Sequence, residues 1–186
     1  MIPSEIENRL RQGLVGRKRQ SVAIDGFFPA AVLVPLLTSK EGCQLLFTVR
    51  SRNLSHHAGQ VAFPGGKREP DETVIEAAVR EMHEEIGVTP QRIVGELDEQ
   101  PSAAGFVVTP VIAIVEWPQP VAINMAEVEE VFTVRLEQLQ KLTPREQTHM
   151  VNRQRRTVYF YDYRGREIWG LTANIVRNLL QVLEPI

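Results

Sequence analysis

The chain has 186 residues, enough to bury a full core as one domain without disulfides or a structural metal. Hydrophobic residues make up 43%, charged residues 24%, and the formal net charge is −2, a globular balance that argues against a dedicated nucleic-acid binder, which carries a basic excess. A small polyanionic substrate stays compatible, since it needs only a local basic pocket or a metal, and the single cysteine, Cys43, excludes an intramolecular disulfide.

Ile2, Ile6 and Leu10 recur at helical spacing among charged residues, which predicts an amphipathic helix and not a signal peptide. Gly16-Arg17-Lys18-Arg19-Gln20 follows as a short basic stretch, read as a solvated linker. Residues 29–37 and 44–49 are near-continuous apolar runs separated by Ser39-Lys40-Glu41-Gly42, and together they predict a hairpin of buried strands. Cys43 falls at that turn and reads as a small hydrophobe. Residues 51–60 are polar and contain Gly59, a loop; Val61-Ala62-Phe63 resumes an extended segment up to Pro64-Gly65-Gly66. Residues 72–87 predict a helix with Ile75, Ala78, Val79, Met82 and Ile86 on one face and Gly87 as its stop.

Strands are expected over 92–98 and 106–116, the second broken by Trp117-Pro118-Gln119-Pro120. A strand over 131–134 and a short helix over 136–142 follow. Arg153-Gln154-Arg155-Arg156 reads as a solvated turn, residues 157–161 and 167–169 as strands around Arg164-Gly165, and residues 172–183 as an amphipathic helix. No apolar stretch approaches the roughly 20 residues of a membrane span, and the closing Leu-Glu-Pro-Ile matches no retention or peroxisomal address. A cytoplasmic protein with no membrane partner is therefore expected. Strands outnumber helices, which fall between and after them, so the fold class is α/β with a mixed sheet and helices on both sides.

The chemistry concentrates in residues 66–88. Glu81, Glu84 and Glu85 are related by i, i+3 and i+4, so they share one helix surface, roughly opposite the face of Ile75, Val79 and Ile86. Like charges so placed destabilise a helix, and acids near its C-terminus oppose the macrodipole. A Glu-rich face can be merely solvated; it can also await a cation, and oxygen ligands alone select a hard one such as Mg²⁺, Mn²⁺ or Ca²⁺.

The wider segment bears on that choice. Gly66, five residues, Glu72, seven residues, then Arg80-Glu81-Met82-His83-Glu84-Glu85-Ile86-Gly87-Val88 resembles the complete box of the Nudix hydrolases. A chance match in a chain this long is rarer than about one in a million. The resemblance implies an α/β/α sandwich spanning residues 1–186 as one domain, with a helix and linker over 1–25 and the box over 66–88. It implies hydrolysis of a nucleoside diphosphate derivative with Mg²⁺ or Mn²⁺. Glu81 and Glu85 would be metal ligands, with Glu84 a third ligand or a water-activating residue, and Glu72 and Arg80 would orient loop and helix. The backbone at Gly65 and Gly66 could approach metal or phosphate closely. The general base is left open between Glu84 and Glu127, the latter in an acidic segment that also reads as a solvated loop.

Residues 45–66 look like the extension that precedes the box in coenzyme A pyrophosphatases: Arg50, Ser51, Leu54, His57, Gly59, Val61 and Phe63 fit, while Ser55 stands where that family usually has arginine. Pro101-Ser102, Val108-Thr109-Pro110 and Trp169-Gly170-Leu171-Thr172-Ala173 resemble the same subfamily. Arg50, Ser51 and His57 are thus expected to bind substrate, although an Arg/Ser/His loop can also brace itself. Arg50, Arg52, His56 and His57 place cationic or protonatable groups before the box, and coenzyme A carries a 3′-phosphate besides its diphosphate; arginine's fork suits phosphate. The expected products are 3′,5′-adenosine diphosphate and 4′-phosphopantetheine. The alternatives are another diphosphate such as ADP-ribose, a dinucleotide or an oxidised nucleotide, or a ligand sensor without turnover. The intact box carboxylates weigh against a sensor, the lack of an evident acid and nucleophile pair against an isopentenyl-diphosphate isomerase, and the net charge against capped RNA. A homodimer using Trp117, Trp169 and the terminal helices is a further expectation.

Overall fold

Apolar runs without alternation call for strands buried on both faces. The computed structural model, which describes residues 3–40, 42–151 and 154–184, places the first two runs in such strands. They form β1 (Phe28–Ser39) and β2 (Gly42–Arg50), an antiparallel hairpin with Ser39 opposite Gly42, and Cys43 is buried at its end. β1 also pairs in parallel with β7 (Phe106–Glu116) along its whole length, so the sheet is mixed. Around this centre lie β3 (Val61–Ala62) and β8 (Val128–Arg135) on β2, β4 (Gly65–Lys67) on β1, and β5 (Arg92–Glu96) and β6 (Gln100–Pro101) on β7.

Alternate residues of β1 feed two cores. Val34 and Leu36 join Ile6 and Leu10 of α1 (Pro3–Leu14) and Ile175, Val176 and Leu179 of α4 (Gly170–Leu183) on one face. Ala31, Leu33 and Leu37 meet Ala77, Ala78, Met82 and Ile86 of α2 (Val74–Ile86) on the other. The result is the expected mixed sheet between helices. Among the described residues no helix is long and apolar enough to cross a membrane.

α2 begins at Val74 because Thr73 caps it. The Thr73 hydroxyl accepts from the Glu76 N–H (3.2 Å) and the Glu76 carboxylate accepts from the Thr73 N–H (2.8 Å), a reciprocal box. The helix ends at Gly87, whose φ of 70° suits glycine. Thr73→Ala is expected to cost about 1 kcal/mol, read as a lowered melting temperature with turnover retained.

Three expectations need correction. First, Arg145–Val151 forms a strand, β9, where none was expected: its exposed polar residues show no alternation, and pairing to β10 (Gln154–Tyr163) is what makes it extended. β10 and β11 (Arg166–Trp169) complete a second sheet after the short α3 (Leu136–Lys141). Second, Arg155 and Arg156 belong to β10 and not to a solvated turn; Ile2, Glu41, Arg153 and the last two residues lie outside the described residues. Third, the basic stretch after α1 is a strap. Arg17 pairs with Asp98, Arg19 with Glu96 (2.6 Å), and the Gln20 N–H donates to Asp98 (2.8 Å). The acids that hold it stand far along the chain, where local composition could not reveal them.

Candidate active site

β4 runs antiparallel to β1 with Ala31 opposite Gly66 and Val32 opposite Gly65, and α2 follows after a loop over residues 68–73. The register sets two glycines between strand and helix. A Cβ on Gly65 would lie 2.4 Å from the Ala31 carbonyl oxygen and 2.6 Å from Val32 Cα. A Cβ on Gly66 would lie 2.4 Å from a Glu81 carboxylate oxygen. Absence of side chains is therefore what lets α2 bring acids onto the strand.

The helix does not present the three acids as one exposed row. Its buried face runs through Ala77, Ala78, Met82 and Ile86 and includes Glu85, which is 3% exposed. Of the expected face, Ala78, Met82 and Ile86 are buried, while Ile75 and Val79 are only half-buried. Small alanines allow close approach to the sheet and so decide the face, and Glu85 follows them inward. Glu81 is half-buried beside it, and Glu84 is exposed.

A third acid reaches Glu81 and Glu85 from elsewhere. The carboxylate oxygens of Glu81, Glu85 and Glu127 lie within 4.8 Å of one another. Glu127 is delivered by a segment clasped to the end of α2: the Ala122 N–H donates to the Ile86 carbonyl (2.9 Å) and the Asn124 N–H to the Glu85 carbonyl (2.8 Å). The Asn124 side-chain amide donates to the Glu127 carboxylate (3.1 Å), and the Ser51 N–H to the Glu127 carbonyl (2.8 Å). Asn124 drew no notice in the sequence, because capping a distant helix end leaves no local pattern.

Arg80 is the counter-charge. Its guanidinium donates to both Glu72 oxygens (2.5 and 3.1 Å), to Glu81 (2.9 Å), to Glu84 (3.0 Å) and to the Lys67 carbonyl (3.1 Å). Glu72 is held below the usual carboxylate range by those bonds, and Arg80 is held protonated. Glu81 is pushed up by burial, against the pull of Arg80. Burial pushes Glu85 up to about 8, with only a long bond from the Gly65 N–H (3.4 Å) and the charge of Arg50 opposing. Three clustered oxygen donors, two of them costly to ionise alone, fit a hard divalent cation that would let them ionise.

The other expected site residues fall around this group. Arg50 ends β2 half-buried near Glu85, and its Nε donates no hydrogen bond among the described residues. Ser51 is buried and its hydroxyl accepts from the Asn53 N–H (3.4 Å), so it braces the loop. His57 is exposed, has φ of 57°, and shares a hydrogen bond with Gln60 (3.0 Å). It borders a cavity of about 220 Å³ together with Gly65, Gly66, Ser102, Val108 and Leu171. Arg52 points away to Glu129 (3.4 Å). Trp117 packs against the core beneath α2, and Trp169 stacks on Phe160 with centroids 5.9 Å apart.

A mixed sheet between helices carries an acid-lined helix facing a Gly-Gly strand, and the clustered acids suit a hard divalent cation. Residues 27–158 match the NUDIX domain family, and the chain belongs to that family. It is a pyrophosphohydrolase acting on a nucleoside diphosphate derivative, and such enzymes typically use divalent metal ions. The chain is 39% identical over 159 residues to a Photorhabdus laumondii protein bearing the name uncharacterized Nudix hydrolase NudL, covering 83% of this chain and 84% of that one. A Pectobacterium atrosepticum protein of the same name is 39% identical over 154 residues, 81% and 80% of the two chains. In fold, the chain resembles a C. elegans Ap4A hydrolase in a binary complex (TM-score 0.50, 23% identity, 58% of this chain and 80% of that one). It also resembles the NUDIX domain of Shewanella oneidensis NrtR complexed with ADP ribose (TM-score 0.50, 20% identity, 64% and 80%).

Proposed function

We propose that the protein hydrolyses the pyrophosphate bond of coenzyme A or a derivative, giving 3′,5′-adenosine diphosphate and 4′-phosphopantetheine or its acyl form. One observation carries this reading. The scattered segments that resemble coenzyme A pyrophosphatases, those of His57, Gly65-Gly66, Ser102, Val108 and Leu171, border a single cavity beside the acids. Segments so far apart in sequence share no packing reason to converge on an open cavity. The same reading takes residues 1–186 as one unit, because Ile6 and Leu10 of the N-terminal helix are buried against α4 and the sheet.

Glu81, Glu85 and Glu127 would hold Mg²⁺ or Mn²⁺, which supplies charge neutralisation at the diphosphate and an acidified water. Arg80 fixes the Glu81 carboxylate and steadies the loop through Glu72 and the Lys67 carbonyl. Arg50, whose buried Nε has no hydrogen-bond partner among the described residues and whose charge acts on Glu85, would face the phosphate oxygens. Between the two proton acceptors, Glu127 is favoured. It lies in the acid group, whereas Glu84 is turned to Arg80 on the solvent side. Glu127→Gln is expected to lower kcat at least about a hundredfold; Glu84→Gln should cost less than about tenfold. The reverse order would assign the base to Glu84.

The deciding assay compares coenzyme A, 3′-dephospho-coenzyme A and ADP-ribose with Mg²⁺ and with Mn²⁺. Release of 4′-phosphopantetheine with the highest kcat/KM on coenzyme A is the expected result. Turnover of ADP-ribose without coenzyme A would leave the family chemistry and remove this substrate.

A further inference from the structure

We infer that the cavity beside Gly65 and Gly66 seats the adenine ring of a 3′-phosphorylated nucleotide, and that Lys67 is the residue that reads the 3′-phosphate. The inference rests on the coenzyme A reading and assigns the orientation of that substrate.

At about 220 Å³ the cavity is smaller than the roughly 300–1,000 Å³ of sites that enclose a whole drug-sized ligand, so it takes one group. Its lining is apolar at Val32, Phe106, Val108 and Leu171. Phe28 stands at its edge 57% exposed, in a tilted pair with Phe106 at 6.3 Å between centroids. The core has no use for an aromatic ring left in solvent. An aromatic wall beside an apolar recess is a surface for a flat ring.

One cation belongs to this recess. Lys67 lines the cavity, is exposed, and holds its Nζ 5.4 Å from the Phe28 ring centroid. It forms no ion pair among the described residues. Of the neighbouring arginines, Arg80 pairs with Glu72, Glu81 and Glu84 and Arg52 with Glu129; Arg68, which donates to the Glu72 carbonyl (3.2 Å), and Arg50 each keep an unbonded Nε, but neither lines the cavity. An apolar recess whose rim carries an ammonium without an ion pair among the described residues suits a flat ring bearing an anion close by.

Distance along the substrate selects which end enters. Gly66 borders the cavity, while a Cβ on it would touch the Glu81 carboxylate, so recess and acids are one strand apart. The group in the recess must lie one sugar from the diphosphate. The thiol lies at the far end of a long arm and is excluded. The uncharged pantoyl segment is near enough but gives Lys67 nothing to pair with. A plain dinucleotide or ADP-ribose leaves Lys67 equally unused.

Titration calorimetry of wild type and Lys67→Gln with 3′,5′-adenosine diphosphate, 5′-adenosine monophosphate and 4′-phosphopantetheine tests this. Wild type is expected to prefer 3′,5′-adenosine diphosphate over the monophosphate about tenfold or more, and Lys67→Gln to bring the ratio near one. Phe106→Ala should weaken both nucleotides and keep the ratio. An unchanged ratio in Lys67→Gln, or equal loss of both nucleotides, overturns the assignment. So does a Phe106→Ala effect confined to 4′-phosphopantetheine, which would put the arm in the recess. A Lys67-dependent preference in a protein that does not turn over coenzyme A would sink the substrate reading and keep the subsite. Turnover of coenzyme A with no role for Lys67 would do the opposite.

Discussion

The Glu85→Gln variant is expected to lose about a thousandfold or more in kcat while its metal-free form becomes more stable than wild type at alkaline pH. The first effect follows from removing an anionic donor to a cation that supplies several kcal/mol at the reacting phosphate, with each tenfold in rate equal to about 1.4 kcal/mol. The second follows from burial. Glu85 is raised from the usual 4.5 to about 8 in the folded protein. Between these values the folded state keeps a proton that the unfolded state has released. Stability therefore falls as pH rises through that window, by about 1.4 kcal/mol per pH unit at most, and levels off above it. Glutamine is neutral at every pH and escapes this loss. Melting curves in chelator at pH 6 and pH 9 should show a drop for wild type and a smaller one for Glu85→Gln. Added Mg²⁺ should restore wild type most at the higher pH, where the acids are ready to bind it. Identical pH dependence in the two proteins would mean that Glu85 ionises freely in the fold.

Gly65→Ala and Gly66→Ala should fail in different ways although they are adjacent. The new methyl of Gly65→Ala meets backbone atoms of Ala31 and Val32, and these cannot retreat without parting β4 from β1. A loss of about 3 kcal/mol or more in stability is expected. The nearest atoms to the new methyl of Gly66→Ala are those at the end of the Glu81 side chain. That chain can swing aside, so the fold should melt within a few degrees of wild type while kcat falls about a hundredfold or more, as it does when a reacting group is displaced by an ångström. Melting temperature and kcat measured on both variants separate the two cases. Equal destabilisation would show that Gly66 serves the strand and not the acid.

The sequence made some of this legible and hid the rest for identifiable reasons. β1, β2, β7 and α4 announce themselves because burial on both faces, or along one helical stripe, demands apolar residues in fixed patterns. The box announces Glu81 and Glu85. It does not announce that Glu84 turns to Arg80, since i, i+3 and i+4 neighbours share a surface without sharing a depth. Ala77 and Ala78 carry little hydrophobic signal yet set how closely α2 meets the sheet, and so bury Glu85. Glu127 was a candidate by composition alone; its arrival beside Glu85 depends on Ala122 and Asn124 reaching the helix end, a contact no local window contains. β9 is a strand only by virtue of its partner.

The clasp between the Asn124 N–H and the Glu85 carbonyl ties a residue's main chain to the same contact that delivers Glu127 to its side chain. The C-terminal carbonyls of α2 would otherwise have no partner within the chain. Closing the helix end and completing the acid group thus rest on one and the same contact. On the proposed assignment, a polypeptide in which this long-range contact has not yet formed would hold two of the three donors and bind a cation only weakly. Affinity for the metal would then report that the contact has formed, so an immature molecule would be silent toward its substrate without any separate device to keep it so.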